Sequence, residues 1–522
     1  MKRRGFIATG MAAAGALAAP AIAQPASVLR FIPQANLTVL DPVWTTATVT
    51  FNHAYYVYDT LYATDSRGAF QPQMAEGHSV SADGRVWRFP LRAGLFFHDG
   101  EPVRAIDCAT SLARWAKRDQ FGQILDRFVE TWGAADDRTV EIKLTKPFPL
   151  LLAAIAKSDG APFIMPERLA KTDAMTAVRE VVGSGPFRFL PDEYNSGSRM
   201  AYAKFDKYQP RQEAPDGTAG GKVAYFQRVV WNVIPDPATA GSALQNNEAD
   251  WWERPLVDLI PSLLKNPAIR AEVTDPAGRL AMMRLNHLQE PFNDVRLRRA
   301  VLASVRQDDY MRASRGDDEK LWTTSRSLFP RNTPYYQDQP DLMPGDLEKA
   351  RAMLKEAGYA GQKVVIINPT DFPDIGPLGL VANDALKKIG MNVELRESDW
   401  GTVVQRRASR EPVEKGGWSI FHTTGPAPVY GSPVTSPLVR GQGEKGWFGW
   451  WTNPKAEELT EAWVAAPDAA TQSKIAHELG RLALSEVATV PVGQFYLQTA
   501  YRTSLRDLVK GIAPFPWGVR PA

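Results

Sequence analysis

The chain has 522 residues and a formal charge of +3, and Lys2, Arg3 and Arg4 at its N-terminus account for that excess. A balance this close to neutral excludes the dense cationic surface of a nucleic-acid-binding protein, so no nucleic-acid partner is expected. With a single cysteine there can be no internal disulfide, and a chain of this length is expected to fold as two or three domains held by packing.

The first 23 residues predict a cleavable export signal, with a basic start, an Ala/Gly-rich middle and small residues up to Ala23. Arg3 and Arg4 with the residues that follow resemble a twin-arginine core, and an ordinary Sec signal is the alternative. No cysteine stands at the cleavage point, which excludes a lipid anchor there, and no later apolar run reaches membrane-spanning length. The mature chain is therefore expected to be a soluble periplasmic protein.

A histidine, two aspartates and the cysteine fall between residues 98 and 108, which raises the question of a catalytic cluster. The local pattern indicates scaffold instead. Apolar residues alternate over 87–91 as on a strand, His98-Asp99-Gly100 is typical of a turn, and 105–116 carries the apolar stripe of a helix. Cys108 lies on that stripe, so we expect a small buried residue rather than a nucleophile.

Strand and helix patterns alternate through the rest of the chain, which indicates an α/β fold. Short strands are predicted at 185–190 and 226–234, with a long polar loop at 203–222 between them. A helix is predicted over 346–359, with Asp346 as its N-cap.

The clearest unit is a strand, a helix and a second strand, at 364–367, 378–389 and 393–395. This order predicts a right-handed βαβ crossover in a parallel sheet. Two amphipathic helices are predicted over 454–486, followed by one strand over 489–500.

Motifs that would indicate an enzyme or a metal site are incomplete. His477 and Glu478 begin a zinc-protease pattern, but Arg481 stands where the second histidine is required. The segment 441–446 has a dinucleotide-binding glycine spacing without a following helix, and 183–185 lacks the spacing of a nucleophile elbow. The six histidines show no ligand spacing. The sequence therefore predicts no catalytic residue, no cofactor and no metal site, although isolated side chains can still converge in space.

Aromatic residues are abundant, with 15 Trp, 15 Tyr and 22 Phe. Several stand in polar, Gly- or Pro-rich surroundings, at 251–255, at 447–451 and at Trp400. Aromatic side chains in such places are suited to lining a small-molecule cleft, and core packing is the alternative for each tryptophan alone.

Several segments, in this order, resemble the extracellular solute-binding proteins of family 5, the dipeptide, oligopeptide and nickel receptors of ABC importers. The resemblance extends from Leu29 to about Gly511. Each segment is weak alone, and the order makes the resemblance specific. The segments are 40-LDPVW-44, 57–115 with its FHDG turn, 183-GSGPFRF-189, 284-RLNHLQEPFNDVRLRRAV-301, 349-KARAMLKEAGY-359 and 452-TNP-454.

The resemblance implies a two-lobed α/β fold, the large type II periplasmic binding protein class with an extra subdomain in lobe I. Lobe I would comprise residues 24–280 and 490–522, with the subdomain at about 56–180, and lobe II residues 281–489. The ligand would lie in the interlobe cleft, two crossings would form the hinge, and the closed, loaded form would dock on the membrane permease.

In oligopeptide-binding relatives, a tryptophan and an arginine seven residues later contact peptide, and Trp400 and Arg407 match this spacing. We expect aromatic residues to stack on the ligand, Arg407 to pair an anionic group and Glu253 a cationic one. The predicted ligand-binding residues are Trp44, Trp252, Glu253, Trp400, Arg407, His422, Thr424 and Tyr430.

Those relatives also use an aspartate in a later loop to bind the free amino group of the peptide. The corresponding loop here, 421–433, has no acidic residue, and Pro428 stands near the aspartate position. His422 lies where some relatives carry a ligand-contacting arginine. This departure puts ordinary peptide binding in doubt and leaves Glu253 or Asp399 to supply the negative charge.

The predicted function is the periplasmic substrate-binding component of an ABC importer, a monomer without enzymatic activity. Its solute would be peptide-like or another small polar organic molecule, such as an amino-acid conjugate or an opine. The alternatives are a nickel-type metal-chelate receptor that uses His422, an exported hydrolase on the same scaffold, and a periplasmic chaperone.

Overall fold

The computed structural model describes residues 28–466 and 468–522, and the predicted export signal at 1–23 lies outside these residues. Each of two lobes is built on a large mixed β-sheet with helices packed against it. The predicted two-lobed α/β architecture is thereby confirmed. No helix in the described part of the chain is both long and apolar enough to cross a membrane.

The sheet of lobe I has seven strands, and its central strand, Val28–Ile32, is parallel to both neighbours. The remaining pairings are antiparallel. Phe31 packs against the rings of Trp231 and Trp251, at 5.3 and 5.2 Å between centroids, which fixes the centre of the lobe I core. From edge to edge the strands are Ile269–Val273, Gln498–Arg502, Trp251–Trp252, Val28–Ile32, Arg228–Asn232, Arg199–Lys204 and Phe187–Phe189.

The sheet of lobe II has six strands and contains the predicted strand–helix–strand unit. Lys363–Pro369 and Asn392–Ser398 are parallel neighbours joined by the helix Gly376–Ile389. Gly390 ends this helix at φ +103°, a left-handed conformation that glycine adopts without strain. From edge to edge the strands are Trp322–Thr323, Val490–Phe495, Arg279–Leu285, Ile420–Pro426, Lys363–Pro369 and Asn392–Ser398.

The chain crosses between the lobes at 274–278 and at 496–497. This corrects the boundary expected at 489/490, because Val490–Phe495 pairs with Arg279–Leu285 and so belongs to lobe II. The single strand predicted over 489–500 is accordingly two strands in different sheets. Gly278 lies where the crossings meet, at φ +73°, and a Cβ there would come within 2.8 Å of the Phe495 carbonyl oxygen.

A subdomain within lobe I contains a four-stranded antiparallel sheet and the helix Ala105–Ala116, which packs against it. The buried side of this helix carries the predicted stripe, including Cys108, which is fully buried. Burial raises the pKa of the Cys108 thiol, so it remains protonated. The strands, from edge to edge, are Ser79–Val80, Val86–Pro90, Thr139–Leu144 and Val129–Asp136.

His98 has the structural role that the turn pattern predicts. Its Nε2 lies 3.0 Å from the carbonyl oxygen of Gly185, and its ring packs edge-on against Phe205 at 4.8 Å. The amide of Gly185 in turn donates to the carbonyl of Val57, and a Cβ at Gly185 would lie 2.7 Å from that carbonyl carbon. The FHDG turn is therefore hydrogen-bonded to the 183–185 segment, and both segments have a structural role.

The helices agree with the predicted pattern at 105–116, at 346–359 and in the pair over 454–486. Asp346 caps its helix, accepting from the amides of Glu348 and Lys349. Two-stranded sheets are Tyr62–Thr64 with Phe70–Pro72, and Leu505–Arg506 with Arg520–Pro521. The α-helices are Thr48–Val57, Ala105–Ala116, Gln120–Asp126, Leu151–Ile155, Glu167–Ala170, Pro237–Gln245, Ile260–Leu263, Val295–Ser304, Gln307–Arg315, Leu347–Glu356, Gly376–Ile389, Trp400–Arg406, Pro454–Ala465 and Ala469–Ser485.

Candidate functional site

Residues of both lobes line a cavity between the sheets, which we call the arginine chamber. Its lining includes three arginines, and no Asp or Glu is among the described residues that line it. The side chains of Trp400 and Phe372 form an aromatic wall, with ring centroids 5.2 Å apart. The lining residues are Gln34, Ala35, Thr46, Ala47, Thr48, Val49, Arg254, Arg279, Phe372, Ile375, Trp400, Val404, Arg407, Thr423 and Thr424.

The helix Trp400–Arg406 positions the predicted tryptophan and arginine together. Asp399 caps it by accepting from the amide of Thr402 at 2.9 Å. Arg407 follows the helix two turns after Trp400, so both side chains lie on the same side. The guanidinium carbon of Arg407 is 5.8 Å from the Trp400 ring and 4.8 Å from the Phe448 ring.

Arg407 is 5% exposed and has no carboxylate within 4 Å among the described residues. Its Nε has no hydrogen-bond partner there either. Burial lowers the pKa of Arg407 to about 10, so the side chain remains a cation at neutral pH. A buried cation that lies against aromatic faces and has no carboxylate beside it in the described structure is suited to an anionic ligand group.

Arg279 is a second buried arginine of the chamber, and it is not among the ligand-binding residues predicted from the sequence. It is 4% exposed, and its Nη2 lies 3.5 Å from the carbonyl oxygen of Thr424. Burial, followed by the nearby charge of Arg254, lowers the pKa of Arg279 to about 10. A charged residue at the head of the apolar run 280–283 was the only sequence signal.

A second cavity lies at the hinge and carries both signs of charge. We call it the hinge cavity. Arg254 and Arg279 line both cavities, so the two adjoin at these arginines. The hinge cavity is lined by Trp251, Glu253, Arg254, Thr274, Asp275, Gly278, Arg279, Leu497, Gln498, Thr499, Val509, Gly511, Ile512, Ala513 and Pro514.

Glu253 supplies a buried carboxylate to the hinge cavity. It accepts hydrogen bonds from the Gln34 amide at 2.8 Å and from Asn52 Nδ2 at 2.9 Å. Burial raises the pKa of Glu253, and the charge of Arg254, 3.7 Å away, partly offsets this effect. These contacts hold the carboxylate in place on the wall of the hinge cavity, where its negative charge is shared with Arg254.

A buried ion pair joins the two lobes beside the chamber. Arg254 Nη1 of lobe I lies 3.3 Å from Asp374 Oδ2 of lobe II, and Arg315 of lobe II also pairs with Asp374. Although burial alone would raise the pKa of Asp374, Arg315 and Arg254 hold it below its usual value. A second interlobe pair, Arg127–Glu461 at 3.1 Å, is exposed.

Trp400, Arg407 and Thr424 of the predicted site line the arginine chamber, and Glu253 lines the hinge cavity. Trp252 lines neither. It packs in the lobe I core beneath the helix Pro237–Gln245, while Trp251 lines the hinge cavity. Alternate residues of a strand face opposite sides, so Trp251 and Glu253 share a face that excludes Trp252.

Trp44, His422 and Tyr430 also lie outside the lining of both cavities. Trp44 is 39% exposed at the surface. His422 is fully buried on the other face of its strand from Thr423, near the ring of Tyr310, and burial lowers its pKa to about 3. The hydroxyl of Tyr430 fills the space over Gly425, within the lobe II core.

Asp159 of the subdomain is a further acidic residue near the cleft, and it is not among the residues predicted from the sequence. It is partly buried, and its charge acts on Tyr430 and Arg279. Burial raises the pKa of Asp159, while Lys157 and Arg279 act against this shift. Within the described ranges, no three His, Cys, Asp or Glu side chains are grouped to hold a metal ion.

The chain matches the family model "Bacterial extracellular solute-binding proteins, family 5 Middle" over residues 69–438. A probable peptide ABC transporter periplasmic-binding protein, y4tO, of Sinorhizobium fredii is 39% identical over 492 residues, covering 93% of this chain and 92% of the relative.

Two solved structures share the fold. The dipeptide-binding protein of Pseudoalteromonas sp. SM9913, in complex with Met-Leu, superposes with a TM-score of 0.79 at 18% identity, over 95% of this chain and 100% of that one. The binding protein MoaA from A. tumefacien R10, in complex with mannopinic acid, gives 0.79 at 21% identity, with the same coverage of 95% and 100%. At such identities the likeness concerns the fold alone.

Proposed function

Because the chain belongs to the bacterial extracellular solute-binding proteins of family 5, we propose that its cleft captures a small organic solute with an anionic group at Arg407 and a cationic group at Glu253. The observation that carries this proposal is Arg407, a buried guanidinium without a counter-charge in the described structure. Leaving a charge buried and unpaired is costly, and a ligand carboxylate would remove that cost.

Glu253 supports the cationic end. The loop 421–433 has no acidic residue for a ligand ammonium, whereas Glu253 and Asp275 line the adjoining hinge cavity. A solute that spans the two cavities would place its ends on opposite charges. Peptides and amino-acid conjugates have this arrangement, and the names of the relatives, which include a peptide transporter component, agree with it.

Trp400 and Phe372 would hold the body of the solute, since their rings offer apolar area with little loss of flexibility. The protein would act in the periplasm as the monomeric binding component of an ABC importer, closing its lobes around the solute and delivering it to the permease. It would bind without turnover.

The test begins with native mass spectrometry of the purified mature protein, followed by identification of any small molecule released on denaturation. Isothermal titration with that solute, or with a panel of peptides, opines, sugars and metal chelates, then compares the wild type with Arg407→Gln. Arg410→Gln is the matched control, since Arg410 is an exposed arginine nearby that pairs with Glu444. We expect Arg407→Gln alone to weaken binding. No affinity for any compound, or equal affinity in both variants, would refute the proposal.

A further inference from the structure

Arg279 lies in the same cleft as Arg407 and, like it, has no counter-ion in the described part of the chain. It is 4% exposed, and among residues 28–466 and 468–522 its Nε is unpaired and its one hydrogen bond, to the Thr424 carbonyl, is long at 3.5 Å. Among the described residues no carboxylate oxygen lies within 4 Å of its guanidinium. Two buried arginines of one cleft are therefore unsatisfied by the scaffold.

Arg284, on the same strand, shows how this protein satisfies a buried arginine that serves structure. Its guanidinium donates to the carbonyls of Phe448 and Ala488 and to the hydroxyl of Thr489. Arg284 lines neither cavity. Arg279 differs from Arg284 because it lines the two cavities and does not donate to a comparable set of carbonyl groups in the described structure.

The neighbouring charges leave room for an anion at Arg279. Arg254 is already paired with Asp374, and its positive charge acts on Arg279. Asp275 accepts from the amide of Ala277 at 3.1 Å. The negative charges of Asp374, Asp275 and Asp159 act on Arg279, and none of these three carboxylates lies within 4 Å of its guanidinium.

We propose that Arg279 binds a second anionic group of the solute, so that this cleft selects an acidic amino-acid conjugate or peptide with two anionic groups and one cationic group. This inference rests on the proposed function, in which Arg407 and Glu253 bind the other two groups. Arg407 lines only the arginine chamber, Glu253 only the hinge cavity, and Arg279 both. The second anionic group therefore lies between the first anionic group and the cationic one.

The test uses dipeptides that differ by one carboxylate and hardly in size, Ala-Glu against Ala-Gln and Glu-Ala against Gln-Ala, in isothermal titration. The wild type is expected to bind at least one acidic dipeptide about tenfold or more tightly than its amide twin. Arg279→Gln should reduce that ratio to near one, Arg279→Lys should retain part of it, and Arg407→Gln should weaken both twins. Thermal unfolding checks that each variant is folded.

Equal affinity for the twins in the wild type, with both weakened by Arg407→Gln, would overturn the role of Arg279 and leave the proposed function standing. A preference that survives Arg279→Gln would overturn it as well. If no dipeptide binds, or if Arg279→Gln does not fold, the solute released from the wild type decides. Two anionic groups on that solute support the inference, and fewer overturn it.

Discussion

The interior of lobe I and the interlobe cleft both bury charged side chains, but they differ in how those charges are satisfied. In lobe I, Arg114 pairs with Asp41 at 2.7 Å and Lys222 with Asp59 at 2.7 Å, with all four side chains at most 2% exposed. In the cleft, Arg407 is buried nearly as deeply and no acid pairs with it in the described structure. These buried charges of the lobe I interior are paired with opposite charges. A buried charge without such a partner, like that of Arg407, is therefore a candidate for binding a ligand.

The largest change in the free energy of unfolding should come from breaking one of the buried ion pairs of lobe I. Asp41→Asn would leave Arg114 buried without its counter-charge and should lower the free energy of unfolding by about 3–5 kcal/mol. Urea denaturation measures this, with the exposed Asp341, which pairs with Arg481, changed to Asn as control. A loss below about 1 kcal/mol would show that the pair is not what holds this part of lobe I.

Arg407→Gln should lower the solute affinity strongly and the free energy of unfolding only slightly, in contrast to Asp41→Asn. We expect the solute affinity to fall by about 2–5 kcal/mol, since a buried charge pair with the ligand is lost. The free energy of unfolding should stay within about 1 kcal/mol, because the variant removes a desolvated cation along with its ring contacts. Titration and urea denaturation of the same sample measure the two quantities. A destabilisation as large as that of Asp41→Asn would assign Arg407 to the scaffold and remove the distinction.

Trp400→Ala should weaken solute binding by about 1–3 kcal/mol, through the loss of apolar area and of stacking. Trp44→Ala is the control, because Trp44 is exposed and lines neither cavity. Its titration curve should match the wild type. If Trp44→Ala weakened binding and Trp400→Ala did not, the ligand would lie outside the arginine chamber.

The pH dependence of binding should report on Glu253. Burial raises its pKa above the ordinary 4.5, so the carboxylate is neutralised at a higher pH than an exposed glutamate. Affinity for a cationic group should be complete above this raised pKa and should fall as the pH drops through it. Stability changes in the opposite sense, because the folded state binds the proton more tightly than the unfolded chain does. Titrations between about pH 4 and 7 should show this acid limb in the wild type and lose it in Glu253→Gln.

The smallest effect should come from the exposed interlobe pair. Glu461→Gln removes the partner of Arg127, and both side chains are more than half exposed. Exposed pairs contribute little, so the solute affinity should change by less than about threefold. A larger change would mean that closure depends on surface charge.

The architecture was largely predictable because it follows from periodicity and from the order of the family segments. In the βαβ unit at 363–398, the spacing of the apolar residues changes between that of a strand and that of a helix at the positions where the structure changes between strand and helix. The crossing at 496–497 was missed because 489–500 is one continuous strand-like run, and nothing in it marks where the chain changes sheets.

The site was only partly predictable. Trp400 and Arg407 are recognisable from their spacing, whereas the two-residue strand Trp251–Trp252 is too short for alternation to show which ring faces the cavity. Arg279 and Arg284 look alike in the sequence, since both are single arginines in an apolar strand. Only the partners that folding brings to each guanidinium distinguish them.

The buried ion pair between the lobes, Arg254 with Asp374, has a charged neighbour on each side. Arg254 has Glu253 beside it in its own lobe, and Asp374 has Arg315 in the other. If the lobes part, Arg254 and Asp374 each keep an oppositely charged neighbour within their own lobe. Separating this one interlobe pair is therefore less costly than separating an isolated buried pair would be, because neither side chain becomes a lone buried charge.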